Sequence, residues 1–281
     1  MQIISAPTEM QAFADDARRT GPTIAFIPTM GFLHEGHLSL VREGCRHGDD
    51  IVVSIFVNPA QFGPGEDLDT YPRALEADCE KAAAAGATVV FAPSREDLYG
   101  DAYQTYVTLE KLPQHLCGLS RPVFFRGVAT VVTKLFNIVK PHVAVFGEKD
   151  YQQLLVVRRM VQDLNFNIRI IGGSIVREAD GLAMSSRNSY LSPDERRRAL
   201  CLFQSLQKAE EMVRSGVREA EALIQTARDI ISRHPDADID YIEIFDPETI
   251  DNLKRIEGPA RMALAVKIGK TRLIDNILLT P

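Results

Sequence analysis

Several features are scarce in this chain of 281 residues, and each scarcity excludes a class of protein. The chain has no excess of positive charge: it contains 32 Lys and Arg residues and 38 Asp and Glu residues, which gives a formal net charge of −6. This balance argues against sequence-independent nucleic-acid binding, which requires clustered positive charge. The four cysteines, Cys45, Cys79, Cys117 and Cys201, lie far apart without a CxxC pair. We therefore expect neither a zinc site nor a disulfide framework, but free thiols in a reducing cytoplasm.

Long hydrophobic runs are also missing. The longest uncharged stretches, 21–33 and 51–65, contain prolines and are shorter than the ~18 apolar residues that suggest a membrane span. The N-terminus, Met1 to Ile4, has no basic residue, so a secretory signal peptide is not expected. What is present, 45% hydrophobic and 25% charged residues, is typical of a folded globular protein.

Short apolar runs alternate with helical patterns from the N-terminus to about residue 178. The apolar runs predict strands at 23–27 (ended by Pro28), 51–57, 88–91 and 143–146, and another strand or two over 168–171 and 174–176. The helical patterns begin with a capping box at Thr8 and recur at 36–45, 72–85, 128–139 and after Gly147. Alternating strands and helices pair in parallel through crossover connections, and continuous apolar strands are buried on both faces. We therefore expect a doubly wound parallel α/β sheet.

The pattern changes in the last third of the chain. Ser192 is a predicted N-cap for a helix to about residue 215, because Pro193 and Glu195 follow it at the favoured positions. The rest predicts a second helix at 217–233 and strands at 241–245, 261–266 and 271–278. We therefore predict two domains, residues 1–178 with the parallel sheet and residues 179–281 as a smaller α+β domain.

Polar clusters follow the predicted strands, where open parallel sheets bind their ligands. They occupy 28–37, 58–62, 147–153 and, further on, 184–187. In the first cluster, His34 and His37 share one face if a helix begins there, and a helix N-terminus attracts phosphate. Two surface histidines in a loop are the alternative. The spacing differs from the four-residue spacing of the zinc motif H-E-x-x-H, which weakens a metal interpretation.

The other clusters supply cations, hydroxyls and amides. Lys149 after a buried strand could meet the charge of a triphosphate, and Ser185, Ser186 and Arg187 could close over a pyrophosphate. The neutral amides Asn58, Gln61 and Gln153 could bind hydroxyls and a carboxylate. Each feature taken singly is more often a solvated turn or a structural hydrogen bond. Gly269-Lys270-Thr271 lacks the earlier glycine of a Walker A loop, and no GxGxxG follows the first predicted strand of the sheet.

Several longer segments of the sequence resemble the signature motifs of known enzyme families. His34-Glu35-Gly36-His37 and Met184-Ser185-Ser186-Arg187 resemble the paired HIGH-like and KMSKS-like signatures of nucleotidyltransferases. The strings PTMGFLHEGHLSL (28–40), SIFVNPAQFGPGEDLDTYPR (54–73), FGEKDYQQL (146–154) and DGLAMSSRNSYLS (180–192) resemble the pantoate–β-alanine ligase family. One departure is Val123-Phe124, which stand where the family usually has Gly-His.

The resemblance implies a fold, a reaction and site residues. It implies a Rossmann-like nucleotidyltransferase that joins (R)-pantoate to β-alanine through a pantoyl adenylate, with ATP as co-substrate and Mg²⁺ held mainly by the ATP phosphates. It implies a homodimer, and we expect residues 179–281 to act as a lid. The implied catalytic residues are His34, His37, Lys149 and Arg187. The implied nucleotide site also contains Met30, Gly147, Glu148, Asp150, Val176, Met184, Ser185 and Ser186, and the implied substrate site contains Gln61, Gln153 and Asn58.

Three other functions compete with this interpretation. A nucleotidyltransferase that passes AMP to a phosphorylated acceptor would share the HxGH element. A nucleotide-sensing module would bind ATP without turnover, and a zinc-dependent hydrolase would need a metal site. Gln61 and Gln153 modestly favour a pocket for a hydroxy acid.

Overall fold

The computed structural model describes residues Met1–Pro281, which form two compact units. The first unit contains Met1–Pro113, Arg121–Glu148 and Gln153–Ser174, and the second contains Gln114–Ser120, Lys149–Gln152 and Ile175–Pro281. Two short segments that precede residue 175 therefore belong to the second unit. The predicted domain boundary after residue 178 stays a prediction.

The first unit contains a parallel sheet of six strands. The strands are β1 (Gln2–Ile4), β2 (Ile24–Thr29), β3 (Asp50–Ile55), β4 (Val89–Phe91), β5 (Val143–Gly147) and β6 (Arg169–Gly173). Their order is β1-β4-β3-β2-β5-β6. From the centre of the sheet, β2, β3 and β4 follow one another in one direction, with β1 at the edge beyond β4, and β5 and β6 follow in the other direction. This arrangement confirms the predicted doubly wound sheet, and its topological switch point lies between β2 and β5.

Helices cover both faces of the sheet. The helices of this unit are α1 (Pro7–Thr20), α2 (Glu35–Gly44), α3 (Leu75–Ala84), α4 (Arg95–Leu98), α6 (Phe124–Val139) and most of α7 (Tyr151–Asp163). The first two residues of α7 belong to the second unit, as does α5 (Cys117–Ser120). Ile27 of β2 packs in one cluster with Val41 of α2 and Ala82 of α3. Phe26 points to the opposite face, where its ring centroid lies 6.3 Å from that of Phe136 in α6.

The predicted elements differ from those of the structure at three places. β2 continues through Pro28 to Thr29, where Thr29 O accepts a hydrogen bond from Phe56 N on the β3 side. Backbone groups of successive residues point to opposite sides of a strand, so the nitrogen of Pro28 points towards β5. Proline is tolerated there because β5 no longer pairs with β2 at this position. The cap of α1 is Ala6, since Pro7 takes the first helical position that proline favours. Over 168–176, where the sequence leaves one or two strands open, the structure has the single strand β6. β1 was missed because only Ile4 of its three residues is buried.

The second unit is a small α+β structure, as predicted. It contains α8 (Pro193–Arg214), α9 (Ala220–Ile231) and the antiparallel sheet β7 (Ala237–Phe245), β8 (Ala260–Ile268) and β9 (Thr271–Leu279). The predicted capping box is present, because Glu195 N donates to Ser192 Oγ at 3.3 Å and Ser192 N donates to Glu195 Oε2 at 2.9 Å. Neither α8 nor any other helix is long and apolar enough to cross a membrane.

We expect His142 to make the stability of the first unit sensitive to acid. Its Nδ1 accepts a hydrogen bond from Ile24 N at 3.0 Å, at the start of β2. Burial, together with the nearby Arg18 guanidinium, lowers the pKa of this imidazole. The folded state therefore binds fewer protons than the unfolded state near pH 6. We expect the contribution of neutral His142 to be complete above its unfolded pKa, about 6.5, and to be lost as the pH falls.

Urea unfolding of the chain and of His142→Gln, between pH 5 and pH 8, tests this expectation. The variant removes the titrating group, so its free energy of unfolding should fall less steeply towards acid. His234→Gln is the matched control, because His234 lies in the turn after α9. Equal slopes for the chain and His142→Gln would contradict the role of His142.

Candidate functional site

The loop that follows β2 lies at the switch point of the sheet. β5 pairs with β2 only at Ala25 and Phe26, so the two strands separate before their carboxyl ends. The chain then turns through Gly31 at φ +82° and Phe32 at φ +52°. A Cβ at Gly31 would lie 3.0 Å from both Asp78 Oδ2 and Ile55 Cγ2. Glycine is therefore required here by both conformation and space.

A buried carboxylate on α3 holds this turn. Asp78 is 1% exposed, and its two oxygens accept hydrogen bonds from Phe32 N and Leu33 N, each at 2.7 Å. Lys81, one turn further along α3, donates to Leu33 O at 2.8 Å. Because an unpaired buried N–H is costly, Asp78 stabilises the left-handed turn that leads into α2.

The two predicted histidines begin α2. His34 is the N-cap, and its Nδ1 accepts a hydrogen bond from Gly36 N at 3.2 Å. The Nδ1 of His37 accepts from His34 N at 3.4 Å, which completes a capping box built from imidazoles. The ring centroids are 4.0 Å apart. The predicted placement of both rings on one face of a helix start is present in the structure.

The capping bonds also set the tautomers of the two rings. Each Nδ1 accepts a backbone N–H, so a neutral ring at His34 or His37 carries its proton on Nε2. The Nε2 atoms are therefore hydrogen-bond donors at the positive end of the α2 dipole. Donors at a helix N-terminus suit a phosphate group.

A second cluster joins the end of β2 to the turn after β3. Gln61 is 7% exposed, and its Nε2 lies 3.0 Å from Met30 Sδ while its Oε1 accepts from Asn58 Nδ2 at 3.1 Å. Asn58 also donates to Gly127 O at 3.1 Å and accepts from Ala60 N at 3.3 Å. Protein partners thus engage both the oxygen and the nitrogen of the Asn58 amide, which fixes the orientation of Gln61.

Phe124, which stands where the resembled family usually has His, lies against an arginine near this cluster. The Arg121 guanidinium carbon lies 4.0 Å from the centroid of the Phe124 ring. Arg121 also forms a two-pronged ion pair with Glu66, at 2.8 Å and 2.5 Å, and donates to Gln61 O at 3.3 Å. The apolar ring therefore supports an arginine that holds the Gln61 backbone.

Two more predicted residues of the first unit lie at the end of β5. Gly147 is the last residue of β5 and pairs in register with Gly173 of β6, and Glu148 follows it in a short 3-10 turn. Gln153 lies in the first turn of α7 and is half-buried. The structure thus places Gly147 and Glu148 on the same edge of the sheet as the loop after β2.

The predicted cation Lys149 belongs to the second unit. Its Nζ lies 3.6 Å from Asp150 Oδ2, and its side chain is 19% exposed. Its carbonyl oxygen accepts a hydrogen bond at 3.0 Å from Nδ2 of Asn276 in β9. The sequence does not predict this contact, because Asn276 lies near the C-terminus, far from Lys149 along the chain.

The remaining predicted residues form one loop of the second unit. Met184 N donates to Val176 O at 3.0 Å. Ser185 then caps a 3-10 turn by accepting from Arg187 N at 3.3 Å, and Ser186 is buried. The loop that carries the two hydroxyls and the guanidinium therefore has a defined backbone.

Ion pairs outside the signature hold this loop. Arg177 forms a two-pronged pair with Asp275 of β9 at 2.6 Å and 3.0 Å. Burial raises the pKa of Asp275, and the Arg177 charge opposes that shift. Arg196 of α8 donates to Glu178 and Asp180 at 2.8 Å each. No local pattern in the sequence indicates these partners, because they come from elements far along the chain.

The structure therefore groups the predicted residues within each unit. In the first unit it joins His34 with His37, and Met30 with Gln61 and Asn58. In the second it joins Val176 with the loop 184–187. The chain has no group of three His, Cys, Asp or Glu side chains placed to hold a metal ion. Asp78 was missed by sequence reasoning, although a charged residue beside Cys79 on the buried stripe of α3 was a usable signal.

Comparisons with known proteins agree over the whole chain. Residues 2–278 match the family model described as pantoate-beta-alanine ligase. The chain is 60% identical to a pantothenate synthetase of Desulfatibacillum aliphaticivorans over 281 residues, with 100% of both chains covered. Its structure is similar to that of the pantothenate synthetase of Thermus thermophilus, with a TM-score of 0.95 at 42% identity and 100% of both chains covered.

A third relative was solved with ligands. The pantoate-beta-alanine ligase of Francisella tularensis, complexed with beta-gamma ATP and beta-alanine, has a TM-score of 0.82 at 33% identity. The comparison covers 99% of this chain and 97% of that one. From the family model and these relatives together, the chain belongs to the pantoate–β-alanine ligase family.

Proposed function

We propose that this chain ligates (R)-pantoate and β-alanine to pantothenate, at the expense of ATP, in the biosynthesis of coenzyme A. The match of residues 2–278 to the pantoate-beta-alanine ligase family is the observation that carries the proposal. The complex of the Francisella tularensis relative with beta-gamma ATP and beta-alanine supports the same substrates.

The reaction has two steps. A pantoate carboxylate oxygen attacks the α-phosphorus of ATP, the bond to the β-phosphate oxygen breaks, and pyrophosphate leaves. The amine of β-alanine then attacks the acyl carbon of the pantoyl adenylate, AMP leaves with the bonding electrons, and the nitrogen loses a proton. No covalent bond to the enzyme forms, so the protein contributes positioning and stabilisation of phosphate charge.

The start of α2 is the proposed phosphate site of the first unit. The Nε2 donors of His34 and His37 would bind phosphate oxygens as negative charge develops, with His37 as the favoured proton donor. The capping bonds through Nδ1 support this role, because they leave Nε2 as the donor atom. The helix dipole adds to the attraction.

The pantoate site is proposed around Gln61. Its amide would bind pantoate, and Gln153 would supply a second amide. Asn58 stays a predicted substrate-binding residue, although its hydrogen bonds to Gln61, Gly127 and Ala60 favour a positioning role. Met30, in contact with Gln61, would line the nucleotide site beside it.

The second unit would supply the remaining cations. Lys149 would stabilise the α-phosphate and the leaving pyrophosphate, and Ser185, Ser186 and Arg187 would bind the β- and γ-phosphates. The proposed nucleotide site is completed by Gly147, Glu148, Asp150, Val176 and Met184.

Mg²⁺ is proposed as an ion carried by the ATP phosphates, where it commonly keeps several waters. A homodimer, a cytoplasmic location and a lid role for residues 179–281 belong to the same proposal.

A product assay tests the reaction. Purified protein is incubated with ATP, with and without pantoate and β-alanine, and the nucleotide products are separated. We expect pyrophosphate only when pantoate is present, and we expect AMP and pantothenate, in amounts equal to pyrophosphate, when β-alanine is added as well. ADP and phosphate as products, or AMP release without pantoate, would contradict the proposal. ATP binding without turnover would instead indicate the nucleotide-sensing alternative.

A further inference from the structure

Asn276 contacts the backbone of Lys149 and has no role in the reaction proposed so far. It lies in β9, is 2% exposed, and its Nδ2 donates to Lys149 O at 3.0 Å. Its Oδ1 accepts from Arg261 Nη1 at 2.5 Å. The two polar ends of one buried amide therefore join a strand of the C-terminal sheet to the backbone of the proposed catalytic lysine.

Arg261 is held in a fixed position behind Asn276. Ala263 opposes Asn276 in the register of β8 and β9, so Arg261, two residues earlier, lies diagonally on the same face. Arg261 is buried, and its guanidinium carbon lies 3.7 Å from the centroid of the Tyr151 ring. A planar guanidinium stacked on an aromatic ring has little freedom, so Asn276 receives its hydrogen bond from a rigid donor.

The residues after Lys149 are held by the same unit. Tyr151 donates from its hydroxyl to Pro247 O at 2.8 Å. The Gln152 amide accepts from Cys117 N at 3.1 Å and donates to His115 O at 2.7 Å. Tyr151 and Gln152 therefore anchor the chain just beyond Lys149, and Asn276 supplies the anchor at Lys149 itself.

We propose that Asn276, fixed by Arg261, is a positioning residue that holds the Lys149 backbone and so orients the Lys149 ammonium for the reaction. This rests on the role proposed above for Lys149. An Nζ atom at the end of a flexible four-carbon stem has a defined position only if its backbone is fixed. A misplacement on the order of 1 Å can cost about 10²-fold in rate.

Asn276→Ala and Asn276→Asp test the proposal in steady-state assays of pyrophosphate release. Both variants remove the N–H that Lys149 O accepts, and Asp keeps the size of the side chain and an acceptor for Arg261. We expect kcat to fall about 10-fold or more, with the KM for pantoate unchanged. Asn252→Ala is the matched control, because Asn252 donates to Glu243 Oε2 at 2.9 Å in the same unit without any role at Lys149. Its kcat should match that of the unaltered chain.

A double-mutant cycle separates positioning from a purely structural role. If Asn276 acts through Lys149, Asn276→Asp should have little further effect on kcat in a Lys149→Ala background. Additive losses, or an unaltered kcat in Asn276→Asp alone, would overturn the positioning role. An unaltered kcat in Lys149→Ala would instead overturn the proposed function of Lys149. If Asn276→Ala does not fold, Asn276→Asp carries the same cycle.

Discussion

Replacement of Lys149 by alanine should lower kcat for adenylate formation about 10²–10³-fold, which corresponds to ~3–4 kcal/mol of transition-state stabilisation. The ammonium is a compact charge placed shortly after the switch-point strand β5. Pyrophosphate departure concentrates negative charge that such a cation stabilises more in the transition state than in bound ATP. The chain should remain folded, because the ion pair of the Lys149 side chain is a 3.6 Å contact with half-exposed Asp150.

The measurement is steady-state pyrophosphate release with saturating ATP, pantoate and β-alanine, alongside urea unfolding of the same preparation. Lys270→Ala is the matched control, since Lys270 is an exposed lysine in the turn between β8 and β9. We expect Lys270→Ala to retain full turnover. Full turnover in Lys149→Ala would show that Lys149 is only a turn residue, and a matching loss of folding free energy would show that its effect is structural.

The parts of the fold that follow from local pattern were predictable. Buried parallel strands are continuous apolar runs, so β3, β4 and β5 were found close to their true bounds. The capping box at Ser192 identified the start of α8 because its signal lies within four residues. β1 was not predictable, since three residues with two exposed side chains give no periodic signal.

The candidate site divides in the same way. His34, Gln61 and Lys149 were found because strand ends gather polar residues and because their strings resemble a known family. Their supports were not found, because Asp78 and Asn276 contact the site across long sequence separations. A side chain that holds another residue's backbone leaves no spacing pattern in the sequence, and only the folded register of α3 or β9 reveals it.

Gly127 is such a support, and its replacement by alanine should disturb the proposed pantoate site strongly. A Cβ at Gly127 would lie 2.2 Å from Ala60 O and 2.5 Å from Gln61 Cα, both of which are backbone atoms. The turn that carries Gln61 must therefore move away from α6. Overpacking of this kind costs ~1–3 kcal/mol of stability, of which the better helix propensity of alanine offsets up to about 1 kcal/mol. Because Asn58 donates to Gly127 O, the amide that orients Gln61 shifts as well.

The expected functional result is a loss of about 10²-fold in kcat/KM for pantoate, since a shift on the order of 1 Å in a positioning group has that effect. The KM for ATP should change much less, because the capping bonds that orient His34 and His37 lie within the start of α2. Gly258→Ala is the matched control: no atom lies within 4 Å of a Cβ built there. If Gly127→Ala keeps its kcat/KM for pantoate, Gln61 does not bind that substrate or the turn tolerates the displacement. Direct pantoate binding by Gln61→Ala decides between these two, because only the first leaves its affinity unaltered.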